Sequence, residues 1–226
     1  MNNYNQHSKH FVAVDCVIFG YRNDELCLLL YPRSFEPSKG SWSLMGGFVQ
    51  GDESADESAK RVLKQTTGLQ EIFLEQVETF ARPGRDPEAR VISVSYYALI
   101  RIDEHDEMCV REYGAHWWPI TKLPKLIFDH NEMVEKAQMK LQQMAGFTLV
   151  GKELLPKKFT LMQLRKLYEA IFQREFDPGN FRKKILSLDA LERLDTKNFT
   201  ESKKGAYYYR CKSLEGEKGL ERIVKI

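Results

Sequence analysis

The stretch Gly46–Leu69, GGFVQGDESADESAKRVLKQTTGL, limits the fold of this chain more than any other. Two adjacent glycines, a polar segment and an apolar stripe at helical spacing describe a loop that delivers the chain into a helix. Gly46 and Gly47 suit backbone conformations that other residues resist. Asp52 or Ser54 can cap the helix, and Glu57 stands three residues beyond Ser54, as in a capping box. Ala55, Ala59, Val62 and Leu63 form the stripe. Thr66, Thr67 and Gly68 close it, with Gly68 suited to a left-handed C-terminal cap.

The chain has 226 residues, enough for one large domain or two small ones. Its 42% hydrophobic and 29% charged residues are those of a globular protein. No apolar run approaches the roughly 20 residues that span a bilayer. The start, MNNYNQHSKH, has no signal-peptide core, so residues 1–10 read as a flexible tail of a cytoplasmic protein. Cys16, Cys27, Cys109 and Cys211 are scattered without a CxxC pair, which excludes a zinc ribbon or disulfide scaffold and points to reduced thiols. The net charge of +2 hides an asymmetry: residues 151–226 carry 18 Lys+Arg against 11 Asp+Glu, and residues 1–150 carry 16 against 21. A basic C-terminal third suggests a polyanionic partner.

In chain order, Phe11–Gly20 and Leu26–Tyr31 are apolar, β-branched strands joined by the polar turn Tyr21–Glu25, a hairpin. After the glycine-rich loop and its helix, Ile72–Ala81 and Arg90–Ile102 read as strands. Residues 103–114 form an acidic loop, His116–Ile120 a short strand, and Asn131–Met144 a helix with Val134, Ala137, Leu141 and Met144 on one face. Between the two longer strands, Arg82-Pro83-Gly84-Arg85-Asp86-Pro87 admits two readings. Arg82 and Arg85 can bind phosphates or sugar hydroxyls, or Asp86-Pro87 is a turn with Arg90 paired to an acid. Trp42 either stacks on a ligand ring or packs in the core.

The Gly46–Leu69 stretch resembles the Nudix box, the loop-helix motif of enzymes that hydrolyse nucleoside diphosphates linked to another group. Gly47, Glu53, Arg61, Leu63, Gly68 and Leu69 fall on the family pattern. The clustered glutamates do not: Val62, Gln65 and Thr66 stand in their places, and Met45 replaces a common proline. Pyrophosphate hydrolysis needs Mg²⁺ or a similar cation to offset phosphate charge and activate water. Such cations need several oxygen ligands, mainly carboxylates. The resemblance therefore implies a Nudix-like αβα sandwich without catalytic residues, metal site or cofactor, a binding domain over residues 11–148. Candidate effector contacts are Trp42, Glu53, Arg82, Arg85 and Arg90; loops with this Arg-Asp-Pro core occur in Nudix proteins that handle ADP-ribose-like compounds.

Character changes at Leu149. Thr160 can cap a helix whose Leu161, Leu164, Tyr168 and Ile171 share one face. Asp177 caps a second, Pro178 opens it, and Asn180-Phe181-Arg182-Lys183-Lys184 makes it basic. Phe181 and Ile185 face inward; Asn180, Arg182, Lys183 and Lys184 are left for base edges and phosphates. Leu191–Lys197 and Ala206–Lys212 read as a hairpin wing with Lys203 and Lys204 at its tip. Of Tyr207, Tyr208 and Tyr209, at least one is exposed, because side chains alternate along a strand.

Residues 149–226 resemble the C-terminal winged helix-turn-helix of the Nudix-related transcriptional regulators, in which a degenerate Nudix domain precedes such a module. The resemblance implies a homodimeric, effector-responsive transcription factor, usually a repressor, that reads an operator in double-stranded DNA. DNA contacts are expected from Thr160, Asn180, Arg182, Lys183, Lys184, Lys203, Lys204 and Tyr207. Some members of that family respond to ADP-ribose, others to sugars, including an arabinose branch. The missing metal ligands tilt the expectation toward a neutral sugar such as arabinose, with an ADP-ribose-like nucleotide beside it. The competing expectation is an active Mg²⁺-dependent pyrophosphohydrolase using Glu53, Glu57 and other acids.

Overall fold

The structure is a computed structural model, and residues 3–34, 36–68, 72–102, 114–201 and 203–212 are described below. Leu69, most of the acidic segment 103–114, Cys109 and the residues after Lys212 lie outside them. The chain forms two compact units that interleave in sequence: residues 1–19, 28–98 and 103–137, and residues 20–27, 99–102 and 138–226. Among the described residues no helix is long and apolar enough to cross a membrane. A short 3₁₀ turn, Asn3–Gln6, lies in the segment expected to be a tail.

The first unit is built on a seven-stranded sheet. Its strands are β1 (Phe11–Arg22), β2 (Glu25–Pro32), β3 (Trp42–Ser43), β4 (Met45–Phe48), β5 (Phe73–Phe80), β6 (Val91–Arg101) and β7 (His116–Pro119). The order is β3-β2-β1-β6-β5, with β4 also paired to β1 and β7 to β2. Val14 and Cys16–Phe19 of β1 are fully buried, so a continuous apolar run rather than an alternating one was needed. The β1–β2 turn places Asn23 and Asp24 at φ 52° and 61°, the left-handed pair that matches a hairpin's twist.

Helix α1 (Ala55–Thr67) follows the glycine loop and starts and stops as its sequence dictates. Ser54 Oγ accepts from the Glu57 N–H, and the Glu57 carboxylate accepts from the Ser54 N–H. Gly68 ends it at φ 74°. Helix α2 (His130–Phe147) begins in the first unit, where Met133, Val134 and Ala137 are buried. Ser93 and Tyr96 on β6 have opposite parity: Ser93 reaches Asp15, and Tyr96 donates to Asp56 of α1. The two sheet faces are therefore distinct, with α1 on the Tyr96 side and His130, 3.7 Å from Asp15, on the other.

Gly46 and Gly47 are not used as the sequence suggested. Neither has positive φ; both lie in β4, opposite Asp15 and Val14 of β1. Their requirement is space. A Cβ on Gly46 would sit 2.4 Å from Asp15 Oδ1 and 3.0 Å from the Val14 carbonyl, and one on Gly47 would sit 3.0 Å from Val62 Cγ2.

The second unit holds α3 (Gly151–Leu154), β8 (Phe159–Thr160), α4 (Leu161–Phe172), α5 (Pro178–Ser187), β9 (Leu191–Asn198) and β10 (Ala206–Cys211). The strands form a small antiparallel sheet in the order β8-β10-β9. Tyr168, Phe172, Phe176 and Phe181 make an aromatic chain that seats α5 against α4, with Tyr168 and Phe181 centroids 5.5 Å apart. The Glu169 carboxylate accepts from the Phe176 N–H at 3.0 Å and holds the intervening turn. β8 is absent from the sequence reading, because two residues carry no periodicity.

Substituting Gly46→Ala forces Asp15 or the β1 backbone to move and is expected to destabilise the chain by about 2 kcal/mol. Gly51→Ala, with nothing within 4 Å of the new methyl, should change stability by less than about 0.5 kcal/mol. Urea unfolding of both variants checks the contrast.

Candidate effector and nucleic-acid sites

At the start of α1, Glu53 is bound to Arg61. The guanidinium donates through Nε at 2.9 Å and Nη2 at 2.6 Å to the two carboxylate oxygens. Arg61 Nη2 also donates to the Phe48 carbonyl at 3.0 Å, tying loop to helix, and the Gln50 N–H donates to Glu53 at 2.9 Å. The Arg61 guanidinium, helped by that N–H, lowers the Glu53 pKa to about 2. The three positions where carboxylates were missing have other occupations. Val62 is buried against Gly47. Gln65 accepts from Arg61 at 3.3 Å, and the Thr66 hydroxyl donates to the Val62 carbonyl at 2.8 Å. Among the described residues, no three His, Cys, Asp or Glu side chains are placed to share a metal ion.

On the opposite sheet face lies a buried polar cluster that sequence reading missed. Arg85, with its side chain 3% exposed, donates to both Asp129 oxygens at 2.9 and 2.8 Å and lies 3.6 Å from Asp15 Oδ2. Ser93 donates to the same Asp15 oxygen at 2.6 Å. His130 Nδ1 accepts from the Leu44 N–H at 3.1 Å, which leaves its proton on Nε2, 3.7 Å from Asp15 Oδ1. Burial holds the His130 pKa below its ordinary value, so the imidazole is neutral at pH 7. Asp15, Ser93 and the adjacent Asp129 and His130 lie far apart in sequence, and only the fold brings them to Arg85.

The expected effector residues are thus dispersed in role. Arg85 is held by two carboxylates, and Arg82 is exposed and paired with Glu132 at 2.8 Å. Trp42 packs edge-on against His116 and Trp118, with centroids 5.6 and 5.2 Å apart. Arg90 is half-buried, with Nη1 buried and unbonded.

In the second unit, Asp177 caps α5 by accepting from the Asn180 N–H at 2.8 Å. Phe181 and Ile185 are buried, which turns Asn180, Arg182 and Lys183 to solvent and leaves Lys184 half-buried. Lys203, Lys204 and Tyr207 are exposed on the hairpin. Two further cations, Arg193 and Lys197, lie 4.6 and 4.5 Å from the Tyr207 ring centroid. Their i, i+2, i+4 spacing with Asp195 on an exposed strand was the signal available for them. Thr160 departs from the expectation of a DNA contact. It is fully buried, and its hydroxyl accepts from the Gln163 N–H and donates to Glu201, so no surface of it is left for DNA.

Residues 9–137 match the NUDIX domain family and residues 151–211 the NrtR DNA-binding winged helix domain. Over 203 residues the chain is 30% identical to the ADPR responsive transcriptional repressor NtrR of Acinetobacter baylyi, covering 88% of this chain and 81% of that one. The chain belongs to the NrtR-type Nudix-related transcriptional regulators. Its fold is similar to Shewanella oneidensis NrtR bound to a 27mer DNA, at 29% identity and TM-score 0.78, over 89% of this chain and 93% of that one. The NUDIX domain of the same Shewanella regulator, in complex with ADP ribose, is 28% identical with TM-score 0.52 over 61% of this chain and 92% of that one. An ADP-ribose pyrophosphatase of Methanocaldococcus jannaschii is 32% identical over 124 residues, 55% of this chain and 70% of that protein.

Because the Glu53 carboxyl titrates near 2 when folded and near 4.5 ordinarily, its pairing stabilises the fold fully above about pH 4.5 and is lost as pH falls toward 2. The stability gap between the natural chain and Glu53→Gln, followed by urea unfolding, should narrow from pH 5 to pH 3. A gap constant over that range would contradict the pairing.

Proposed function

We propose that this chain is a transcriptional repressor that holds an operator through α5 and the β9–β10 wing and releases it when its Nudix domain binds ADP-ribose. The observation that carries this reading is the tandem match, nearly end to end, to a repressor described as ADPR responsive. The likeness to a NUDIX domain in complex with ADP ribose supports this nucleotide over the sugar that the missing metal ligands suggested. Recognition without metal then rests on cations and hydrogen bonds. Arg90, with its buried unbonded Nη1, and Arg82, whose pair with Glu132 is exposed to solvent, are the guanidinium groups among the expected residues that lie outside the buried cluster.

We further propose that the Nudix domain does not hydrolyse its ligand. Val62, Gln65 and Thr66 supply no carboxylate, and Glu53 is already engaged by Arg61. On the DNA side, Arg182 and Asn180 have the chemistry for guanine and adenine edges, and Lys183, Lys203 and Lys204 for phosphates. The operator is then a palindrome read by two copies of the chain, with half-sites one or more helical turns apart.

Selection from a random duplex pool at fixed salt, followed by fluorescence anisotropy with the recovered duplex, tests the reading. A palindrome should be enriched, and Arg182→Ala should weaken its binding by about 1–3 kcal/mol. ADP-ribose should release the duplex, whereas arabinose should not. Binding without sequence preference, or a duplex indifferent to ADP-ribose, would overturn the proposal.

A further inference from the structure

The turn between β9 and β10 contains a carboxylate that the DNA-binding reading leaves unexplained. Glu201 sits among wing residues expected to face phosphates, where an acid by itself weakens binding. Its two oxygens have separate partners. Oε2 accepts from the Thr160 hydroxyl at 2.6 Å, and Oε1 accepts from the Asn198 side-chain amide at 3.0 Å. Asn198 is buried at the end of β9, and its Oδ1 accepts from both the N–H and the hydroxyl of Thr200, at 2.8 and 2.6 Å. Thr160, fully buried, is the N-cap of α4 and pairs with Tyr208 of β10.

One carboxylate thus joins the wing turn to the residue that starts the first helix of the helix-turn-helix. Its bond from Thr160 is a short O–H to carboxylate contact, among the stronger hydrogen bonds available to side chains. Asn198 and Thr200 extend it along the turn. Gly205 closes the other side of the turn at φ 74°, with Phe199 packed so close that a Cβ there would meet its ring at 2.8 Å.

We propose that Glu201 is a positioning residue for DNA recognition. By tying the wing turn to Thr160 and Asn198, it holds Lys203 and Lys204 in register with Asn180, Arg182 and Lys183 of α5. This rests on the DNA-binding reading above. The sign of the effect separates the proposal from its rival. If Glu201 were merely an acid on the wing, removing it would strengthen binding to a polyanion; as a positioning residue, its removal weakens specific binding.

The test uses the full chain, the duplex selected by it, and a scrambled duplex of the same composition, at several salt concentrations. Glu201→Ala should bind the selected duplex about tenfold more weakly. Its affinity for the scrambled duplex should not fall, because the charges of Lys203 and Lys204 remain, whereas the slope of log K against log salt on the selected duplex should become shallower, because their phosphate contacts there are lost from register. Glu201→Gln, which keeps one acceptor without the charge, should fall between. Equal or tighter binding of the selected duplex by both variants, with melting temperatures like the natural chain's, would overturn the proposal. If Glu201→Ala does not fold, Glu201→Gln decides: a loss confined to the selected duplex supports the role, and natural affinity overturns it. A natural chain that selects no duplex would overturn the DNA-binding reading itself, and this inference with it.

Discussion

Arg85 is a guanidinium with its side chain 3% exposed, and three parts of the first unit depend on it. It stands on the segment between β5 and β6, grips Asp129 with both arms, and lies beside Asp15 of β1. Asp15 in turn approaches β4 so closely that only glycine fits at residue 46. His130, next to Asp129, holds the N–H of Leu44. Removing one member would strand a buried charge, which costs far more than the intact pair contributes to stability. The segment that carries Arg82, Arg85 and Arg90 is thereby fixed relative to the glycine-rich strand and the start of α2.

The loop-helix motif keeps its mechanical parts, while Val62, Gln65 and Thr66 stand where its pattern has carboxylates. Glu53, Arg61, Ser54, Glu57 and Gly68 still cap and brace α1. Val62 fills space against Gly47 where a charged side chain would need water or a metal, and Thr66 turns its hydroxyl back onto the helix. A hard cation needs several oxygen donors, and none of these three side chains is a carboxylate.

What the sequence revealed was mostly local. Capping at Ser54, Asp177 and Gly68, the hairpin turn at Asn23-Asp24, and the burial of Phe181 and Ile185 all follow from residues a few positions apart. The strands Trp42–Ser43 and Phe159–Thr160 were too short to leave a pattern. The Asp15, Ser93, Arg85, Asp129 and His130 cluster was illegible because its contacts join residues 44 to 115 positions apart and each alone looks like an ordinary surface residue. Thr160 was misread for a related reason. An N-cap threonine reads the same whether its hydroxyl faces solvent or Glu201, and only the wing's return to the helix decides it.

The central claim is that a Nudix scaffold without the clustered carboxylates of its pattern binds ADP-ribose without a metal and without cleaving it. Calorimetric titration of the full chain with ADP-ribose, in EDTA and again in Mg²⁺, with AMP release followed in parallel, tests it most directly. The expected result is the same affinity in both and no AMP. Binding that appears only with Mg²⁺, or AMP accumulating in its presence, would contradict the claim and restore a hydrolase.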